Sequence, residues 1–119
     1  MKVQKTDKVY IAGHCGMVGS AIKRKFEREG FKNIITRTHA ELDLIRQTDV
    51  EDFFDSEKPD CVIFAAARVG GIQANIEAPA EFLYENIVME SNVIHSAYKA
   101  GVKKLMFLAS SCIYPRHCP

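Results

Sequence analysis

Lys8-Val9-Tyr10-Ile11-Ala12-Gly13-His14-Cys15-Gly16-Met17-Val18-Gly19 couples a short β-branched and aromatic run to three evenly spaced glycines. The run Lys8 to Ala12 reads as a strand that stops at a glycine. From Val18 to Glu29 the apolar residues Val18, Ala21, Ile22 and Phe26 recur at helical spacing, and Gly30 suits the helix stop. Strand, glycine turn and helix in that order make a corner where free backbone N–H groups and a helix dipole can meet an anion. The spacing of Gly13, Gly16 and Gly19 is GxxGxxG. That is a variant of the dinucleotide fingerprint GxGxxG, and its strand–turn–helix setting is what gives it weight. A plain tight turn packing helix on sheet is the alternative.

Outward from this corner, strands and helices alternate. Asn33 to Thr36 reads as a second strand, Leu42-Asp43-Leu44 as a short link, and Thr48 to Ser56 as a helix with Val50, Phe53 and Phe54 on its buried stripe. Pro59-Asp60 turns the chain into Cys61 to Ala66, a continuous apolar run suited to a strand covered on both faces. Gly70-Gly71 marks a loop. A long helix is expected from about Ala78 to Ala100, with Gly101 as its stop, and a last strand from Lys104 to Ala109. The pattern predicts an α/β fold, a doubly wound parallel sheet of Rossmann type with right-handed crossovers and strand order 3-2-1-4. After the fourth strand only Ser110 to Pro119 remain, so residues 1–119 read as part of a nucleotide-binding domain that breaks off there rather than as a complete small domain.

Composition narrows the function classes. Of 119 residues, 47% are hydrophobic and 26% charged, and the net charge of +1 comes from well-mixed acids and bases. That is ordinary for a globular domain and offers no basic stripe for nucleic acid. No apolar run is long enough to cross a bilayer, and the first residues lack a signal-peptide core, so a cytoplasmic chain is expected. The four cysteines contain no CxxC pair, which argues against a zinc site or a disulfide framework, and no metal is expected. Cys61 falls in a buried strand and reads as core.

Two further places carry chemistry. Where an acidic residue would take ribose hydroxyls, the second strand ends in Thr36-Arg37-Thr38-His39. Arg37 there favours a 2′-phosphate, hence NADP, although a solvated surface charge would look the same. Asp43 suits either an adenine amino group or an ordinary helix N-cap. At the carboxyl end of the fourth strand, where open α/β sheets bind ligands, stand Ser110, Ser111 and Cys112. A hydroxyl there can support charge on a substrate carbonyl, and a tuned thiol can exchange protons. A small polar loop with one buried cysteine is the alternative.

Taken together, Gly13–Ala21 (GHCGMVGSA), Arg37–Leu44 (RTHAELDL), Ala65–Ile72 (AAARVGGI), Glu85–Ala97 (ENIVMESNVIHSA) and Ser110–Pro115 (SSCIYP) closely resemble the GDP-L-fucose synthase family of extended short-chain dehydrogenases/reductases. The resemblance runs along nearly the whole chain in order. It implies epimerisation at C3 and C5 and reduction at C4 of GDP-4-keto-6-deoxy-D-mannose with NADPH. It implies that Gly13, His14, Cys15, Gly16, Met17, Val18 and Gly19 hold the coenzyme pyrophosphate, with Asp43 and Leu44 beside the adenine. Ala65 and Ala66, with Ala67, and Leu108, Ala109 and Ser111 would line the nicotinamide side. Ser110 would polarise the C4 keto group, and Cys112 would act as acid and base at C3 and C5. The Arg68–Gly71 loop would approach the substrate.

Two departures qualify this. None of Tyr10, Tyr84, Tyr98 or Tyr114 has a lysine four residues on, so the family's YxxxK pair, its partner histidine and its sugar-binding domain are absent from these residues. Alone, the chain is expected not to turn over. The family also often carries arginine where Cys15 and His39 stand, which leaves NADP preference to Arg37. In related reductases the long helix forms half of a dimer's four-helix bundle, which implies a homodimer for the intact protein. Two readings stay open beside this one. A neighbouring nucleotide-sugar epimerase or dehydratase usually has threonine at the position of Cys112, and a non-catalytic nucleotide-binding module would need no YxxxK at all.

Overall fold

In the computed structural model, which describes residues 2–110 and 113–117, the buried strands read outward from β1 (Val9–Ala12). All four of its residues are buried, and alternate side chains feed two separate cores. Tyr10 and Ala12 join one face, Val9 and Ile11 the other. β3 (Cys61–Phe64) is built alike, with Val62 and Phe64 beside Tyr10 and Ala12, and Cys61 and Ile63 beside Val9 and Ile11. A strand covered on both faces has no polar side to show, and this is why both segments read as continuous apolar runs.

The helices complete the two layers. α1 (Met17–Arg28) lays Ile22 and Phe26 on the Val9 face. α2 (Gln47–Glu57) and α4 (Pro79–Lys99) bury Val50, Phe53, Phe54, Val93 and Ala97 on the Tyr10 face. Tyr10 packs against both phenylalanines of α2, with centroid separations of 4.6 and 6.0 Å. At the opposite end of the sheet from the glycines, Asp60 accepts the Lys8 N–H at 2.9 Å and the Lys103 ammonium at 2.9 Å. The Lys8 amide, then Lys103, hold its carboxyl below the usual carboxylate range.

All pairings are parallel, and the doubly wound α/β expectation is met. The expected strand order 3-2-1-4 is corrected: β2 (Ile34–Ile35) and β4 (Lys104–Phe107) flank the central pair, giving β2-β1-β3-β4. Order 3-2-1-4 requires another strand outside β2 before the chain crosses back. Residues 36–46 form no strand, so α2 carries the chain over β1 at once and the next strand pairs on its far side. All three crossovers share one hand, since α1 covers one face on the step to β2, and α2 and α4 cover the other on the steps back. The switch point therefore falls between β1 and β3, at their carboxyl ends.

Two smaller differences bear on the site. The segment expected to loop from Gly70 to Ala78 contains α3 (Ile72–Glu77). None of its residues is buried, so it offers no apolar period to read. Ala78, preceding a proline, leaves the helical region (φ −135°, ψ 55°) and separates α3 from α4. β4 lies at the sheet edge with Met106 and Phe107 half exposed.

Candidate functional site

The corner between β1 and α1 is held by backbone-on-backbone contact at two glycines. Gly13 has φ +83°, and a Cβ there would lie 2.7 Å from the carbonyl of Ala65 and the nitrogen of Ala66. A Cβ on Gly19 would lie 2.1 Å from the Gly13 oxygen. Both glycines therefore serve packing: one lets β1 pass the end of β3, the other seats α1 on the turn. Gly16 is different. Its φ of −74° and ψ of 169° suit any residue, and an added Cβ would meet only the Gly13 oxygen, at an ordinary 3.4 Å. Protein packing gives no reason for glycine there, whereas the approach of a ligand to the backbone does.

Gly16 is the N-cap of α1, no side chain caps the helix, and its first turn carries no acidic residue. The leading N–H groups of a helix have no carbonyl partner within it. Here they meet a cleft of about 680 Å³ across the carboxyl ends of β2, β1 and β3. All seven residues Gly13 to Gly19 line it. His14 Nδ1 is buried there with no hydrogen-bond partner among the described residues, and its Nε2 lies 3.3 Å from the exposed Cys15 thiol. An uncapped helix start with an unpaired buried nitrogen can accept an anion with further hydrogen-bonding atoms.

At the β2 end, the wall holds Arg37, Thr38, His39, Leu42, Leu44 and Ile45. Arg37 lies on the cleft, but it is already engaged. Its Nη2 lies 2.8 Å from Glu57 Oε1, its Nη1 donates to the Thr36 carbonyl, and its guanidinium sits 5.4 Å above the Phe53 ring. Asp43 does not line the cleft. Its carboxylate accepts the Ile45 N–H at 3.1 Å, which makes an Asx turn leading into α2, and His39 Nδ1 stands 3.9 Å away. Leu44 is buried at the wall beside it.

Tyr10 belongs to the floor of this end and was not singled out from the sequence. Burial pushes its phenol above the ordinary range, against a smaller pull from Arg37, so the hydroxyl stays protonated. The signal available was the alternation along β1, which sends Tyr10 and Ala12 to the same face.

At the β3 end Ala65 and Ala66 line the cleft, followed by Ala67, Arg68 and Val69, with Glu85 and Met89 from α4. Leu108 and Ala109 are not among its lining residues, although the Leu108 N–H bonds the Phe64 carbonyl at 3.2 Å and so keeps this strand beside the cleft. Ser110 follows, exposed, three residues past the end of β4, which is the second strand from β1. Ser111 and Cys112 lie outside the described residues. Among the described residues no group of His, Cys, Asp and Glu side chains could hold a metal, and no helix is long and apolar enough to cross a membrane.

The family model described as the NAD dependent epimerase/dehydratase family matches residues 9–119. GDP-L-fucose synthase 1 of Arabidopsis thaliana is 60% identical over 115 residues, 97% of this chain and 36% of that protein. GDP-L-fucose synthase of Escherichia coli (strain K12) is 54% identical over 109 residues, 92% of this chain and 34% of that protein. Among solved structures, GDP-mannoheptose C4 reductase from Campylobacter jejuni with NADP bound superposes with a TM-score of 0.93 at 40% identity, over 99% of this chain and 37% of that one. A GDP-L-fucose synthetase from Naegleria fowleri bound to NADP gives 0.85 at 26% identity, over 100% and 38%. The chain thus spans about a third of the length of the proteins it matches.

Proposed function

The chain belongs to the NAD dependent epimerase/dehydratase family, and from that premise we propose that residues 1–119 are the coenzyme-binding front part of a cytoplasmic, NADP-dependent enzyme that makes GDP-L-fucose from GDP-4-keto-6-deoxy-D-mannose. One observation carries the reading: Gly16 is a glycine that the protein's own packing does not need, at the uncapped start of α1, open to the cleft. The names of the relatives and the NADP bound by the structural neighbours support the choice of substrate and coenzyme.

The residues present fit a dinucleotide laid across the cleft. Amides at the start of α1 would hold the diphosphate, Leu44 and Ile45 would pack the adenine end, and Arg37 would supply the positive charge for a 2′-phosphate there. Ala65 and Ala66 line the other half. When bound, NADPH supplies the hydride for reduction at C4. Ser110 donates a hydrogen bond to the C4 carbonyl, which acidifies C3 and C5 on either side of it. Cys112 removes and returns protons at those carbons. The proton for the reduced oxygen is assigned outside these residues, because no tyrosine among them has a lysine four positions on. By itself the chain binds coenzyme without turnover.

The test of these roles joins this chain to the remaining two thirds of a relative. In that enzyme Cys112→Ser is expected to lower the rate of epimerisation by about a hundredfold or more while leaving the Kd for NADP+ within about twofold. Unchanged turnover of GDP-4-keto-6-deoxy-D-mannose by the variant refutes the role of Cys112.

We further propose a homodimer formed along α4. Tyr84, Ile87, Ile94 and Tyr98 are exposed at heptad spacing on a 21-residue helix, a stripe that suits helix-on-helix packing. Sedimentation of the chain joined to the remaining two thirds of a relative is expected to give a dimer, and its Ile87→Asp/Ile94→Asp variant a monomer at the same concentration. A monomer for both contradicts the assignment.

A further inference from the structure

α2 ends on an acid, Glu57, and its last turn carries no basic residue. The helix dipole disfavours a carboxylate at that end, so the helix itself gives no reason for Glu57. The side chain reaches across to Arg37 instead, where Glu57 Oε1 accepts from Arg37 Nη2 at 2.8 Å. Lys8 anchors the acid in turn, its Nζ 3.6 Å from Glu57 Oε2 and donating to the Glu57 carbonyl at 2.8 Å. The guanidinium is fixed from two more sides. Its Nη1 donates to the Thr36 carbonyl at 2.9 Å, and the Phe53 ring, itself buried against Tyr10, lies 5.4 Å from its centre.

Arg37 lines the cleft, whereas Glu57, Lys8 and Phe53 do not, so its supports stand outside the space a ligand would take. Two of the five N–H donors of an arginine are used here, which leaves three for a ligand. Among the described residues the other lysine or arginine lining the cleft is Arg68, at the β3 end, with its Nη1 2.6 Å from Glu85 Oε1. Discrimination at the β2 end therefore falls to one guanidinium. We propose that Glu57 is a positioning residue that holds Arg37 ready for a 2′-phosphate and so sets the preference for NADP+ over NAD+. The inference rests on the coenzyme-binding reading above. Two effects oppose each other. Ordering a free arginine on a phosphate costs up to about thirtyfold in affinity, and the Glu57 bond removes that cost in advance. The Glu57 carboxylate also offsets the charge of Arg37, but the two side chains are 30% and 33% exposed, and salt with a screening length of about 8 Å holds this to a few-fold. Ordering wins.

The experiment titrates the full chain with NADP+ and with NAD+ by calorimetry at physiological salt. In Glu57→Ala the Kd for NADP+ is expected to rise about tenfold while that for NAD+ stays within about twofold. Glu57→Gln keeps an oxygen to accept from Arg37 and should fall between. On an Arg37→Ala background, Glu57→Ala should change nothing further, because it acts through the guanidinium. Should Glu57→Ala fail to fold, Glu57→Gln is read by the same ratio of the two Kd values. A ratio that is unchanged or shifts further toward NADP+, equal weakening of both coenzymes, or a loss that persists without Arg37 overturns the inference while leaving the coenzyme site standing. An unaltered chain that binds neither coenzyme overturns the coenzyme reading and this inference with it.

Discussion

Gly19→Ala is expected to destabilise the chain by about 3–5 kcal/mol, a large share of the roughly 5–15 kcal/mol that holds a domain of this kind together. The sign is diagnostic, because alanine in place of glycine within a helix is ordinarily favourable by up to about 1 kcal/mol. Here the new methyl would lie 2.1 Å from the Gly13 oxygen, 2.7 Å from its carbonyl carbon and 3.1 Å from the His14 α-carbon. All three are backbone atoms, so no side-chain rotation relieves the contact. α1 would have to lift from the turn. The turn itself cannot retreat, because Gly13 is already pressed against Ala65 and Ala66. Urea unfolding measures the loss directly. A change smaller than about 1 kcal/mol would mean that α1 does not sit on the Gly13 carbonyl.

Gly16→Val is expected to do the opposite: leave the fold and remove the ligand. Its backbone conformation is open to valine, and the nearest atom to an added Cβ is at ordinary contact distance. The cost in stability should be about 1 kcal/mol, that of a poorer N-cap. A diphosphate drawn to the first amides of α1, however, must lie against the Gly16 α-carbon. The valine methyls would stand in its place, and NADP+ binding should weaken about a hundredfold, equivalent to about 2.7 kcal/mol. Calorimetry on the folded variant reads this without any assay of turnover. Three glycines in one motif are thus separated by physical role: Gly13 and Gly19 make the corner, and Gly16 leaves it open.

That separation was only partly legible in the sequence. The corner itself was, because a strand, a turn and a helix in succession are local features, and Gly13, Gly16 and Gly19 punctuate them. The sheet order was not, since it depends on which strand pairs across β1, and β2 contributes only two paired residues. α3 was hidden because it buries nothing. At the site, the sequence supplied a cation at Arg37 but not Glu57, twenty positions away, which engages it. It supplied Asp43 as either a ligand contact or a cap, and the geometry uses its carboxylate in a turn. The hydrogen bond from the Arg68 N–H to Asn86 joins two segments 18 residues apart and has no signature in either of them. The expectations for Ser111 and Cys112 rest on the sequence alone, because both lie outside the described residues.

The central claim is that backbone amides at the start of α1 grip a diphosphate. Titrating the 15N-labelled chain with NADP+ and following its amide resonances tests this most directly. The largest shifts should fall on Gly16, Met17, Val18 and Gly19, saturate at one equivalent, and vanish in Gly16→Val. Shifts confined to other residues, or resonances that do not move at all, would contradict it.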